Sequence, residues 1–168
     1  AQILQAAKRF PESLADLEFA RDHMTNDPRP LLLLGRLHAA AGRTEEAEAA
    51  FRAVLAVDTA SHEAAYNLCV LLAADRLDEA IRWCRKAAEL RPDEPRYSYT
   101  VAYYLRARGD TAEAAARLRQ LIADHRAFAD AHILLADIYA ERGEPDMAES
   151  ILAEALAGGF LSADDRAR

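Results

Sequence analysis

A chain of 168 residues is long enough for one compact domain or a short run of repeats, and length alone does not choose between them. Ala, Leu, Arg and Glu dominate, and alternating runs of β-branched and aromatic residues are absent, which excludes a β-sheet and leaves an all-α fold. The net charge of −7 argues against broad electrostatic binding of nucleic acid, and no run approaches the roughly 18 apolar residues of a membrane span.

In chain order, Ala1–Arg9 reads as the end of a truncated helix, with no secretory pattern around Gln2, Gln5, Lys8 and Arg9. Pro11–His23 reads as a helix whose Leu17 and Ala20 stand one period before Phe51 and Val54, so residues 1–27 form a partial repeat. Four helical hairpins follow. The first, 28–61, runs from Leu31–Gly35 through Gly42 to Phe51. The second, 62–94, carries Tyr66-Asn67-Leu68-Cys69 and then Asp78-Glu79-Ala80-Ile81. The third, 95–128, carries Tyr99-Thr100-Val101-Ala102, Gly109-Asp110 and Ala114. The fourth, 129–162, carries Ile133-Leu134-Leu135-Ala136, Tyr139, Gly143 and Ala148. Gly109 and Gly143 are 34 residues apart and Gly42 and Gly109 are 67 apart, because the second copy lacks a loop glycine and is one residue shorter around Ala74-Asp75-Arg76. Ser162-Ala163-Asp164-Asp165 has the N-cap and early acids of another helix, so 163–168 read as a tail or the start of a further helix. The chain is therefore expected to begin and end within a longer array.

Each copy repeats one packing logic. The first helix sets a large apolar residue beside a small one: Leu34-Gly35, Leu68-Cys69, Val101-Ala102, Leu135-Ala136. The second helix offers Ala47, Ala80, Ala114 or Ala148, followed four residues later on the same face by Phe51, Cys84, Leu118 or Leu152. Small residues let the two helices approach, and the bulky ones fill the gaps. Cys69 and Cys84 fit no zinc or redox spacing and are expected as packed, reduced core residues. His23, His38, His62, His125 and His132 form no ligand set, and no phosphate-binding or nucleophile motif is present, so neither metal nor cofactor nor catalysis is expected. The pairs Glu45-Glu46 and Asp78-Glu79 open second helices, where the dipole favours them as solvated caps.

The period and the small–large pairing resemble the tetratricopeptide repeat family, a 34-residue helix-turn-helix. The second copy resembles it most, from Tyr66-Asn67-Leu68 through Leu77–Ile81 to Lys86–Arg91 and the closing Pro92. Thr59, Arg126 and Phe160 replace that proline elsewhere, and Leu31, Ala65, Ser98 and His132 replace the family's opening Trp. The resemblance implies an α-solenoid of antiparallel helix-turn-helix repeats forming a right-handed superhelix, whose first helices line a concave groove that holds a peptide or a partner helix. Outward positions on those helices would be Arg29, Leu32, Leu33 and Arg36, then Glu63, Tyr66, Asn67 and Val70. Arg96, Tyr99, Thr100, Tyr103 and Arg106 follow on the third copy, and Asp130, Ile133, Leu134, Asp137 and Glu141 on the fourth. Of these, Arg36, Tyr66, Asn67, Arg96, Tyr99, Tyr103 and Arg106 make a polar-aromatic, cationic stripe suited to a partner with an acidic or C-terminal segment. One subclass grips a chaperone's terminal carboxylate with Lys, Asn and Arg. Asn67 matches that clamp and Arg96 replaces a Lys, but Leu32, Arg36 and Thr100 depart from it. A non-catalytic interaction module is thus expected, in the cytoplasm or periplasm. The alternatives are a self-assembling element that stacks through its ends, or an accessory arm of a larger enzyme or secretion machine.

Overall fold

The computed structural model describes residues 27–161. All but the last residue of the partial repeat expected over 1–27, and the helix start expected at Ser162, lie outside the described residues. Among the described residues there are eight α-helices and no strands. The chain divides into two compact units, Ala1–Leu90 and Arg91–Arg168. The first holds α1 (Pro28–Ala40), α2 (Thr44–Val57), α3 (His62–Leu72) and α4 (Leu77–Leu90), and the second holds α5 (Pro95–Arg108), α6 (Thr111–Asp124), α7 (Ala129–Glu141) and α8 (Pro145–Ala157). Consecutive helices pair as antiparallel hairpins, and within each unit the second helix of one hairpin packs on the first helix of the next.

Local chemistry sets the helix ends. The Asp27 carboxylate accepts from the Arg29 amide at 2.9 Å, and Pro28 occupies the first turn, where a missing N–H costs nothing. Ser61 caps α3 in the same way through the Ala64 amide. Three of the four hairpins turn through a glycine with positive φ, at Gly42, Gly109 and Gly143. After each, a backbone amide reaches back five residues, from Arg43 to His38, Asp110 to Leu105 and Glu144 to Tyr139, at 2.9 Å in all three. The second hairpin closes instead with Arg76 to Leu72 at 2.8 Å, four residues back. The residue this copy lacks is the left-handed one.

Both units are cored by the small–large pairs. In the first, Ala47, Phe51, Leu68, Leu72 and Ala80 form one buried cluster, flanked by Leu32, Leu55, Leu71 and Trp83. In the second, Val101, Ala102, Leu105, Ala114, Leu118, Leu135 and Ile138 are fully buried. His132 is buried too, with Nε2 2.9 Å from the Arg126 carbonyl and its ring stacked on Phe160. Leu152, expected to fill the core as Leu118 does, is only half-buried.

Gly35 shows how tight the hairpin is. A Cβ added there would lie 2.5 Å from the Phe51 ring. In the second hairpin the corresponding positions are Cys69 and Cys84, and the structure corrects the expectation of reduced thiols: they are joined as a disulfide across α3 and α4, with Cα atoms 5.1 Å apart. Spacing in sequence fitted no cysteine motif, yet the antiparallel hairpin brings both cysteines face to face.

Charged side chains tie the two hairpins of the first unit along their second helices. Arg52 on α2 bonds Glu48 at 2.8 Å and reaches Glu79 on α4, while Arg76 pairs with Glu48 and, at 3.4 Å, with Glu79. The Trp83 indole N–H also donates to Glu79 at 3.3 Å, and the Arg52 guanidinium lies 5.9 Å from the Trp83 ring centre. Arg76 above all holds the Glu48 carboxyl below its ordinary range, and Arg52 does the same for Glu79. Glu79 is therefore part of an inter-hairpin network and not merely a solvated cap.

Gly35→Ala is expected to destabilise the chain by about 1–3 kcal/mol through overpacking. Adding Phe51→Leu, which recreates the buried Ala102–Leu118 pairing of the third hairpin, should recover part of that loss. Urea denaturation of both single variants and the double variant reads the coupling. For the disulfide, thiol titration of the unfolded, unreduced chain should find no free thiol and should find both after reduction. Reduction should cost about 3 kcal/mol of stability for a loop of this length.

Candidate functional site

The outward faces of the first helices are built separately in each unit. In the first unit, Arg36, Leu33 and Val70 are exposed and Tyr66 is half-buried. Asn67, expected to meet a partner's carboxylate, spends one amide hydrogen on its own helix, donating to the Glu63 carbonyl at 2.9 Å.

In the second unit, α5 and α7 are the first helices and they touch one another. Tyr99, Tyr103 and Arg106 follow at helical spacings of four and three, so they share one face of α5. The rings of Tyr99 and Tyr103 stack with centres 6.4 Å apart. Phe128, the residue capping α7, meets Tyr99 edge-on at 5.6 Å, and Tyr104 meets Tyr103 edge-on at 5.5 Å. Tyr99 is thereby half-buried and Tyr103 remains 49% exposed. Burial pushes the Tyr99 phenol above its usual range, and the charge of Asp130 adds to the effect.

Arg106 does not project freely from this face. Its guanidinium reaches across to α7, where it bonds Glu141 at 3.1 Å and lies 3.4 Å from Asp137. Glu141 raises the Arg106 pKa, and Arg106 in turn holds the Glu141 carboxyl below its ordinary range. Arg96 lies at the start of α5, exposed, with Nε 3.9 Å from Glu94. Two other expected groove residues face inward. Thr100 is buried and its hydroxyl donates to the Arg96 carbonyl at 2.7 Å, and Leu134 is buried as well. The structure thus gathers Tyr99, Tyr103 and Arg106 in one place and removes Thr100 and Leu134 from the surface.

Sequence reasoning missed the bracing role of Phe128 and the neutralisation of Arg106. The second was readable in principle. Asp137 and Glu141 lie 31 and 35 residues beyond Arg106, on either side of one repeat period, and so stand opposite it on the next first helix. A cavity of about 420 Å³ opens beside the face, lined by Tyr103, Arg106, Ala107 and Glu141. Among the described residues, no helix is long and apolar enough to cross a membrane.

Repeated hairpins that bury their small–large faces and leave aromatic and charged side chains on their first helices define a helical repeat scaffold. The chain belongs to the tetratricopeptide repeat family: Tetratricopeptide repeat profiles match residues 32–95 and 105–160, most of its length. Members of this family act as protein–protein interaction scaffolds. No curated relative matches in sequence. Among solved structures, a crystal structure of MamA is 21% identical with a TM-score of 0.80, over 91% of this chain and 90% of that one. MamA 41-end from Desulfovibrio magneticus RS-1 is 17% identical with a TM-score of 0.77, over 93% and 89%. YrrB, described as a TPR protein with an unusual peptide-binding site, is 18% identical with a TM-score of 0.75, over 93% and 81%. At these identities the likeness is one of fold.

Replacing Arg106 with Gln should raise the Glu141 pKa toward the ordinary glutamate range, as read by carboxyl NMR titration. Because the folded-state pKa of Glu141 is depressed, its contribution to stability is present above the unfolded value and is lost as pH falls through the folded one. The acid-side loss of stability should therefore be smaller in Arg106→Gln than in the parent chain.

Proposed function

We propose that this chain is a non-catalytic interaction module that binds a segment of a partner protein on its first-helix faces. Arg36, Tyr66 and Asn67 would serve on the first unit, and Arg96, Tyr99, Tyr103 and Arg106 on the second. The observation that carries the reading is Tyr103, a large aromatic residue left half in solvent while its ring is held by Tyr99 and Tyr104. A tyrosine fixed by its neighbours gives up little conformational entropy on contact, and tyrosine and arginine are the residues most often found at binding hot spots. YrrB, similar in fold, is described as having a peptide-binding site, which adds support by analogy.

An acidic or C-terminal partner segment would draw above all on Arg36 of the first unit, since Arg106 already holds carboxylates of its own chain and Arg96 lies 3.9 Å from Glu94. To test the module reading, peptides are selected from a randomised display library on the immobilised chain and their affinities are measured by fluorescence polarisation. Tyr103→Ala should weaken binding by about tenfold or more at unchanged helicity, the size of a hot-spot truncation. Equal affinity for the parent, Tyr103→Ala and Tyr66→Ala would remove the first-helix faces as the site.

A further inference from the structure

We propose that the α5–α7 face of the second unit takes a cationic side chain, a lysine or arginine carried by the bound segment, against the Tyr99–Tyr103 rings and the carboxylates of α7. The inference rests on the reading above and makes it specific.

Three features of the face agree on the sign of the charge. The first is the aromatic shelf. Tyr103 stacks on Tyr99, and Phe128 and Tyr104 pack against the two rings, so a half-exposed aromatic ring is already held in place on this face. The second is the charge balance around it. Asp130, Asp137 and Glu141 all sit exposed on α7; Arg106 reaches Asp137 and Glu141 from α5, while Asp130 lies in the first turn of α7, one repeat period beyond the exposed Arg96. Arg106 is itself only 26% exposed, with Asp137 and Glu141 each about half exposed. Its charge is turned toward its own partners, Asp137 and Glu141, which outnumber it by one carboxylate at this end of the face. Both Asp130 and Asp137 are close enough to act on the Tyr99 phenol.

The third is the end of the helices at which the cavity lies. Tyr103, Arg106 and Ala107 belong to the last turns of α5, and Glu141 is the last residue of α7. Helix C-termini carry the negative end of the dipole and favour cations. A cavity of about 420 Å³ there has room for the head of a lysine or arginine side chain. An acidic segment would meet the reverse conditions. Its carboxylate would have to displace Glu141 from Arg106 and sit beside Asp137 and Glu141 at two negative helix ends. Arg106 already shows the preferred chemistry, since a guanidinium on this face is held by two carboxylates of α7.

The test uses the full chain and the same randomised peptide library. Peptides are first sorted by whether Tyr103→Ala weakens them, which identifies those bound on this face. Among these, lysine or arginine should be enriched at one position, and replacing it with glutamine should weaken binding roughly tenfold. The Asp130→Asn/Asp137→Asn variant should lose affinity to a similar extent, with melting temperature and helicity held at the parent's values. Tyr103-dependent peptides that carry aspartate or glutamate, or no charge, overturn the cationic assignment and leave the interaction-module reading standing. Unchanged affinity in the double asparagine variant overturns it equally. If no selected peptide depends on Tyr103, this face is not a binding site, and the reading beneath the inference fails with it.

Discussion

Everything else in this molecule depends on how closely the two helices of a hairpin approach, and that distance is set at one pair of positions. In the first hairpin the first helix has no side chain at all there, and the Phe51 ring lies where a Gly35 Cβ would be. In the second the pair is Cys69 and Cys84, joined at a Cα separation of 5.1 Å. The third hairpin uses Ala102 with Leu118, both fully buried, and in the fourth Ala136 is buried while Leu152 is half-buried. One slot is filled three ways, with volume moved from one side to the other and the pairing of small with large retained. Close-packed interiors tolerate such exchanges only when the total volume is kept.

Once the helices are held at that distance, the repeat period decides which surface side chains meet. Residues about 34 apart stand side by side on neighbouring helices of the same kind within a unit. Arg106 therefore faces Asp137 and Glu141 on successive first helices, whereas Arg52 reaches off that register to Glu79, 27 residues further along on the next second helix. In each case arginine carries the contact, and its forked guanidinium engages two carboxylates at once. The consequence for binding is that a face which reads as cationic when its arginines are counted is less so once the carboxylates Arg106 already holds are set against them.

Much of this was legible beforehand. The helical class followed from composition and from the absence of any strand pattern. The loop glycines were readable because a left-handed residue after a helix has few alternatives to glycine, and the copy without one closes its turn a residue sooner. That Tyr99 and Tyr103 share one helix face followed from their spacing of four, and the structure adds that their rings stack. Thr100 and Leu134 were misplaced because each borders the apolar stripe, where a rotation smaller than one residue's 100° step about the helix axis decides between core and solvent. Thr100 turns inward at no polar cost, since its hydroxyl finds the carbonyl four residues back.

The sequence by itself determined the helices, their turns and the alternation of small and large residues, because these rest on interactions between residues close along the chain and on a period that any window of the sequence repeats. Only the tertiary structure decided that Cys69 and Cys84 are bonded, that Glu79 joins two arginines, and that Arg106 is neutralised while Tyr103 stays open. These outcomes turn on distances between side chains from different helices. A few ångströms there separate a bond from two thiols, or a paired arginine from one available to a ligand, and no local preference of the chain encodes that difference.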